Sequence, residues 1–343
     1  MLIRNNASRE TTSRETRSQG TISRRGAFAL TGLLALAAVG WSASGPAWAE
    51  SRVTLKSAKS TSSYYQMMVQ LGEALKAGSG GAIQPTVEES QGSVQNVKEA
   101  ARRDGNFLFT SPPSLITKAQ AGEKPFEPDA GYGEIRALFT IPYLTMHWVV
   151  RADSGVTGFA DLAGKDFIPG GKGSFGQRKT EEVLTKLGLL EQVNLVEVEL
   201  DAAAPAVKNR QVVGFATAGS YPAPNVMELA AGTPIRLLSL SDAELAKVGG
   251  DTIEIPAGTY PGVDSPTRTL SLPVGAYATT RMDDDTAYAI TKAFWEQRES
   301  LAGETAWWSG VTPDTLATLA AKLHPGALRY YKEAGVTLPD ALM

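Results

Sequence analysis

Over residues 50–343 short β-rich apolar runs alternate with stretches of helical periodicity. Arg52-Val53-Thr54-Leu55-Lys56 reads as a strand. A Ser/Thr-rich turn over 57–63 leads into a helix over about 64–77. Gly78-Ser79-Gly80-Gly81 ends that helix, because glycine tolerates the left-handed conformation past a helix terminus. A strand over 83–88 follows, then the polar turn Ser90-Gln91-Gly92-Ser93, with Ser93 as the expected N-cap of a helix to about 103. A strand over 106–110 precedes a helix opened by Pro112-Pro113 and running to about 121. Beyond a Gly/Pro-rich loop over 122–133 come two strands, 135–141 and 146–150. The pattern then restarts with a strand over 166–169, a glycine-rich turn over 170–176 and a helix ending near 188. Further strands are expected over 194–200, 212–216 and 235–240, with helices over 203–209 and 222–231 between them. Residues 271–279 return as an extended run, and the chain is expected to be helical from 284 onward.

Strand, short turn and helix in repeated succession build a mostly parallel sheet with helices on both faces. The succession occurs twice, with a break near residues 143–151. The expected fold class is therefore α/β, as two doubly wound lobes. In such sheets ligands bind beyond the carboxyl ends of the strands, against helix N-termini. The turns at those ends (57–63, 90–93, 110–111, 170–176 and 217–221) are all small and polar. Backbone N–H groups could therefore approach a small polar ligand closely.

The first 49 residues change the picture by giving an address. Ser23-Arg24-Arg25 precedes an uncharged apolar run from about 26 to 43, and Pro46-Ala47-Trp48-Ala49 supplies an A-x-A cleavage site before Glu50. A charged n-region, a short apolar h-region and small exit residues make an export signal. The run is too short and too rich in glycine and alanine for a bilayer span. The paired arginines point to the twin-arginine route, although Phe28 stands one place later than the usual pattern. Removing residues 1–49 takes the formal net charge from −3 to −7, which attracts neither nucleic acid nor an anionic membrane surface. The chain has no cysteine, so disulfides, thiolate nucleophiles and Cys-based metal sites are excluded. The two histidines, His147 and His324, are expected to be structural, and no metal site is expected.

Gly171-Lys172-Gly173-Ser174-Phe175-Gly176 satisfies G-x-G-x-x-G between a strand and a helix, and Glu197 and Glu199 lie just over twenty residues beyond it. That spacing allows an exported oxidoreductase holding a dinucleotide. Against it, Lys172 and Phe175 crowd the turn where a pyrophosphate would lie. The same turn serves as a carboxylate cradle, since helix N-terminal N–H groups and a cation favour any anion. No serine sits in a G-x-S-x-G elbow, and no carboxylate pair is singled out by spacing. Lys59, Lys172, Arg178 and Lys179 are the cations in or beside the turns, and one tyrosine of Tyr64-Tyr65 could cover a ligand.

These turns, taken in order, resemble the TAXI family of solute-binding proteins from tripartite (TRAP) transporters. Ser63-Tyr64-Tyr65 resembles the family's G-x-Y-Y-P. Ser90-Gln91-Gly92-Ser93-Val94-Gln95-Asn96-Val97 resembles its T-x-G-S-V-E-N-V, and His147-Trp148-Val149-Val150-Arg151-Ala152 with Leu162-Ala163-Gly164-Lys165 its H-L-V-V-R-A…D-L-K-G-K segment. Gly219-Ser220-Tyr221-Pro222-Ala223-Pro224, Tyr260-Pro261-Gly262 and the stretch from Leu323-His324-Pro325-Gly326-Ala327 to Tyr330-Tyr331-Lys332-Glu333 complete the likeness.

The resemblance implies a type II periplasmic-binding-protein fold in which two lobes close over one small ligand, commonly an acidic amino acid or dicarboxylate. It implies delivery to an ion-coupled membrane permease, and no enzymatic activity. A version of the fold that signals closure to a receptor is the sensory alternative. Departures fall in the cleft: Ser57-Ala58-Lys59-Ser60-Thr61-Ser62 replaces a glycine-rich turn, Gln66 and Met68 replace proline and glycine, and Phe175, Gly176 and Gln177 displace Arg178 by one place.

The expectation is a periplasmic, monomeric, cofactor-free binder of a small carboxylate. Lobe one would be residues 50–147 plus 270–343 and lobe two 148–269, with hinge strands near 146–151 and 271–279. The expected ligand contacts are Lys59, Ser62, Ser63, Tyr64, Gln91, Ser93, Ser111, Gly173, Ser174, Gln177, Arg178, Thr217, Ser220 and Tyr221.

Overall fold

A computed structural model describes residues 50–128 and 130–343. The export segment expected over 1–49 lies outside the described residues. The chain begins with β1 (Ser51–Lys56), α1 (Ser63–Gly78), β2 (Ile83–Glu88), α2 (Ser93–Ala100), β3 (Phe107–Ser111) and α3 (Pro113–Gln120). A long strand, β4 (Ile135–Arg151), leads to β5 (Asp166–Ile168), α4 (Phe175–Leu187), β6 (Asn194–Leu195), α5 (Leu200–Lys208), β7 (Gly214–Gly219) and α6 (Pro224–Ala230). Then come β8 (Ile235–Leu237), α7 (Asp242–Val248), β9 (Thr252–Ile255), β10 (Thr267–Thr279), α8 (Asp284–Glu304) and α9 (Pro325–Glu333), with 3-10 turns at Ala306–Gly310 and Pro313–Thr318.

The strands join in the order β2-β1-β3-β10-β4-β7-β5-β6, with β8 on β4 and β9 on β10. The β1–β2 and β1–β3 pairs are parallel, as are β5–β6 and β5–β7; β4 and β10 run against their neighbours. Parallel strands are covered on both faces, which is why every residue of β3 is buried. Two strand-helix sets thus hang from one antiparallel pair, the two-lobed type II arrangement.

Residues 135–151, expected as two strands, form one strand that changes partners. Thr145 is the last β4 residue to pair with β10, opposite Ser271, and the first to pair with β7, opposite Gly219. The apparent break in the pattern is a bulge, where Pro142 and Tyr143 stand opposite Pro273 alone. Proline lacks the N–H a ladder needs and is tolerated at such a bulge.

Other boundaries also moved. The strand expected over 194–200 is two residues long, and Val198 keeps only an isolated bridge to Gly171. β10 starts at Thr267 because β9, which the hydrophobic pattern did not reveal, pairs with its first residues. Helix α7, also missed, is held by a capping box in which Ser241 and Glu244 bond each other's backbone N–H. Beyond Asp284 the chain is not continuously helical: α8 ends at Glu304 and two 3-10 turns separate it from α9.

Helix starts follow their chemistry. Ser62 caps α1 by accepting from Tyr65 N at 3.3 Å, and Ser174 caps α4 by accepting from Gln177 N at 3.1 Å. Asp283 caps α8 by accepting from Thr286 N at 2.7 Å, so Asp284 and Asp285 stand in the first turn, where the helix dipole stabilises them. Ser93 is not a cap but the first helical residue of α2; the cap is Gly92, whose φ of 116° suits glycine.

Candidate functional site

β1, β2, β5 and β6 lead into α1, α2, α4 and α5, whose starts stand round one cavity of about 50 Å³, with Thr110 of β3 and Thr217 of β7 beside them. Ser62 and Tyr64 come from the start of α1, Gly92 and Ser93 from α2, Ser174 and Phe175 from α4, and Leu200 from α5. Four helix N-termini, α1 and α2 on one side and α4 and α5 on the other, supply the partial positive charge that favours an anion. Leu144 of β4 and Val274 of β10 form an apolar floor, and Phe175 fills space beside them. The wall is braced from behind by Asn96, fully buried, whose Nδ2 donates to Ser57 O at 2.8 Å and Thr110 O at 3.2 Å. That brace ties the carboxyl ends of β1 and β3 together, and Ser90 Oγ adds a bond to Ser57 O at 2.8 Å.

Among the described residues Lys59 is the one charged residue that lines the cavity. Its Nζ lies 3.4 Å from Glu199 Oε2, across the cleft on the residue preceding α5. That carboxylate oxygen is buried without a hydrogen bond, and so is Gln91 Oε1 on the cavity wall. Buried acceptors without donors are rare and costly. The cavity therefore offers a cation, helix N-termini and, among the described residues, one acceptor without a donor, Gln91 Oε1. Tyr64 covers one side, and its hydroxyl donates to Pro142 O at 2.7 Å. Burial pushes the Tyr64 phenol well above its usual range, so it stays neutral.

Of the residues expected from sequence, Lys59, Ser62, Tyr64, Gln91, Ser93, Ser174 and Thr217 meet at this cavity. The others lie elsewhere. Ser63 is buried beside the cavity and accepts from Ser220 N at 3.0 Å. Ser111 is fully buried at the end of β3, where its hydroxyl donates to Pro112 O at 3.1 Å. Gln177 closes its own turn, accepting from Gly173 N at 2.7 Å and donating to Glu197 Oε1 at 3.2 Å. Gly173 lines an open groove outside the cavity with Lys172 and Lys98. Arg178 is exposed on the α3-facing side of α4, with Lys118 and Lys179. Ser220 and Tyr221 line a separate cavity behind β4.

Sequence reasoning did not single out Ser57, Leu144, Leu200 and Val274. No local pattern says which face of a crossing strand turns to a cleft. The glycine turn also reads differently once folded: Glu197 is taken up by Lys172 at 3.6 Å and by Gln177. A Cβ on Gly171 would stand 2.8 Å from Leu200 Cβ, so that glycine serves close packing inside the protein. His147 is buried and bonded to Thr145 O and Tyr260, and His324 caps α9.

Among the described residues no helix is long and apolar enough to cross a membrane, and no group of three His, Asp or Glu side chains could hold a metal ion. Among solved structures, MatC from Rhodopseudomonas palustris with bound malate is 11% identical, with a TM-score of 0.53 over 83% of this chain and 97% of that one. An R. palustris protein with adipate is 18% identical, with a TM-score of 0.51 over 83% and 98%. The periplasmic binding protein BugD is 13% identical, with a TM-score of 0.49 over 83% and 98%. The first two likenesses concern the fold alone. The sequence itself goes further: residues 55–335, from the end of β1 to just past α9 and including the whole cavity wall, match one family, and the chain belongs to the NMT1-like family.

Proposed function

We propose that the chain is an extracytoplasmic solute-binding protein of the TAXI type, which captures a small carboxylate between two closing lobes and delivers it to a TRAP-type membrane permease. The single observation that carries this reading is the placement of Lys59 among four helix N-termini around one cavity. Gln91 Oε1, an acceptor without a donor, favours a ligand that carries an amino or hydroxyl group beside its carboxylate. A water needs about 10–15 Å³ of such space, so a cavity of about 50 Å³ favours a short chain.

Lobe one would comprise residues 50–147 plus 270–343 and lobe two 148–269. The partner switch at Thr145 supports hinge stretches near 146–151 and 271–279. Ligand contacts to both sides exist only when the cleft is shut, so the ligand shifts the population toward closure. Micromolar affinity needs roughly 8 kcal/mol. One or two charge-assisted bonds of roughly 1.5–3 kcal/mol each, with several backbone N–H contacts, reach that range. Export, with cleavage after Ala49, would place the protein in the periplasm as a monomer that needs no cofactor.

The test is calorimetry and thermal unfolding of ligand-stripped protein against short amino, hydroxy and dicarboxylic acids. Saturation by one class, lost in Lys59→Met, is the expected result. Equal affinity in Lys59→Met would remove the lysine's role, and no saturation by any carboxylate would overturn the ligand class.

A further inference from the structure

The strands that floor the cleft have a second side. Side chains alternate between the faces of a strand. On β4, Leu144 faces the cleft cavity, whereas Tyr143 and Thr145 face another cavity of about 580 Å³. On β10, Val274 faces the cleft and Ser271 the other side. Tyr221, just past β7, and Trp307, in the first 3-10 turn after α8, close the remaining wall; the Trp307 indole N–H donates to Tyr221 O at 2.9 Å.

The chemistry of this cavity is unlike that of the cleft. Among the described residues no charged side chain lines it, and three aromatic rings do. Thr145 and Ser271 are 2% and 6% exposed, and their hydroxyls bond no other group among the described residues. Each has reach into the cavity and spare capacity to donate and accept.

We propose that this cavity is a second ligand site, which takes a small uncharged molecule with a flat ring face and hydroxyl groups. The aromatic rings supply surfaces for the ring, and Thr145 and Ser271 supply partners for its hydroxyls. The uncharged lining selects against ions. That chemistry is shared by a sugar and a phenol. An occupant would lie between the Trp307–Tyr221 wall and the crossing strands, on the face opposite the cleft. The site stands on its own geometry and does not depend on what the cleft binds.

The experiment titrates the purified protein with D-glucose in one arm and resorcinol in the other, followed by tryptophan fluorescence and calorimetry. Three variants accompany it. Ser309→Trp fills the cavity from its exposed rim. Thr145→Val removes an unbonded hydroxyl at constant shape, so it keeps the fold. Lys59→Met alters the cleft alone. Saturable binding of either ring with a Kd under about 10 mM, weakened about tenfold or more by Ser309→Trp and Thr145→Val and unchanged in Lys59→Met, is the expected result; the arm that saturates names the source. Failure of both rings to saturate overturns the proposal. Binding that Lys59→Met removes while Ser309→Trp leaves it intact overturns it as well, because the ring then sits in the cleft.

Discussion

The hydroxyl oxygen of Ser63, at the start of α1, accepts a hydrogen bond from the backbone N–H of Ser220 at 3.0 Å, joining chain positions 157 residues apart. Ser220 Oγ in turn donates to Tyr143 O at 2.8 Å on the crossing strand β4. The approach is tight: a Cβ on the adjacent Gly219 would stand 2.5 Å from the Ser63 hydroxyl. These contacts clasp the end of β7 against α1 and need no ligand.

Gly219→Ala is therefore expected to prise the clasp apart, and Ser63→Ala to weaken it by about 0.5–1.5 kcal/mol, the net worth of one hydrogen bond. The absence of native cysteine makes the measurement clean, since labels on Lys98→Cys and Lys172→Cys report only the width of the groove those residues line. The distance between labels should lengthen most with Gly219→Ala. An unchanged distance in both variants would show that the clasp does not hold the cleft shut.

Lys59 is held by Glu199 at 3.4 Å, and a carboxylate ligand must compete with that partner. Ion pairs with some exposure are worth about 0.2–1 kcal/mol. Glu199→Gln keeps the shape and frees the lysine, so carboxylate affinity should rise by up to about fivefold. Calorimetry with the best short acid decides it. A fall in affinity would mean that Glu199 instead contacts a donor group on the ligand.

His147 sets a pH dependence of stability. Its Nδ1 faces Thr145 O at 3.1 Å and its Nε2 the Tyr260 hydroxyl at 2.8 Å, while that hydroxyl accepts from Ala223 N at 2.7 Å. The consistent arrangement is a neutral ring with its proton on Nδ1. Burial lowers the imidazole pKa from 6.5 to about 4. Between these values the unfolded chain binds the proton and the folded chain does not, so stability rises with pH across the window. The neutral histidine carries no penalty above about pH 6.5, and the penalty grows to about 3 kcal/mol as pH falls to about 4. His324 is lowered too, by burial first, and adds in the same direction. The difference in urea-unfolding free energy between wild type and His147→Gln, measured from pH 7 to 4.5, should therefore shrink toward acid. A constant difference would show that the ring is not titrating out of a buried site.

The legible part of this protein was what local chemistry writes down. The small polar turns at strand ends placed Lys59, Ser62, Gln91 and Ser174 at one cavity, because a parallel sheet must deliver its strand ends to one side. The alternation of elements carried the α/β architecture. Lost were features decided by distant partners. Arg178 was singled out one position from the cap residue's bonding partner Gln177, yet one step along a helix turns a side chain by roughly 100°, and α4 points it at α3 instead. Ser220 and Tyr221 sit at a strand end as expected, but the crossing strand β4 separates them from the cleft. Residues 135–151 read as two strands because the bulge that joins them depends on Pro273, far along the chain.

The glycine turn before α4 allows a test of why its glycines are there. Gly170 has φ 140°, and a Cβ would stand 2.5 Å from Gln177 N and 2.9 Å from the Gly176 carbonyl carbon. Gly173 also has positive φ, 70°, but a Cβ there meets nothing within 4 Å. Gly170→Ala must displace backbone at the start of α4, so it combines conformational strain with overpacking, on the order of 3 kcal/mol or more. Gly173→Ala carries only the left-handed strain of about 1 kcal/mol. Urea unfolding of the two variants should separate them in that order. If Gly173→Ala were the more damaging to stability, the turn would be governed by backbone conformation and not by its packing against α4. If both were neutral to stability yet abolished carboxylate binding, the glycines would be there for the ligand's approach, and the cavity wall would be more yielding than its contacts imply.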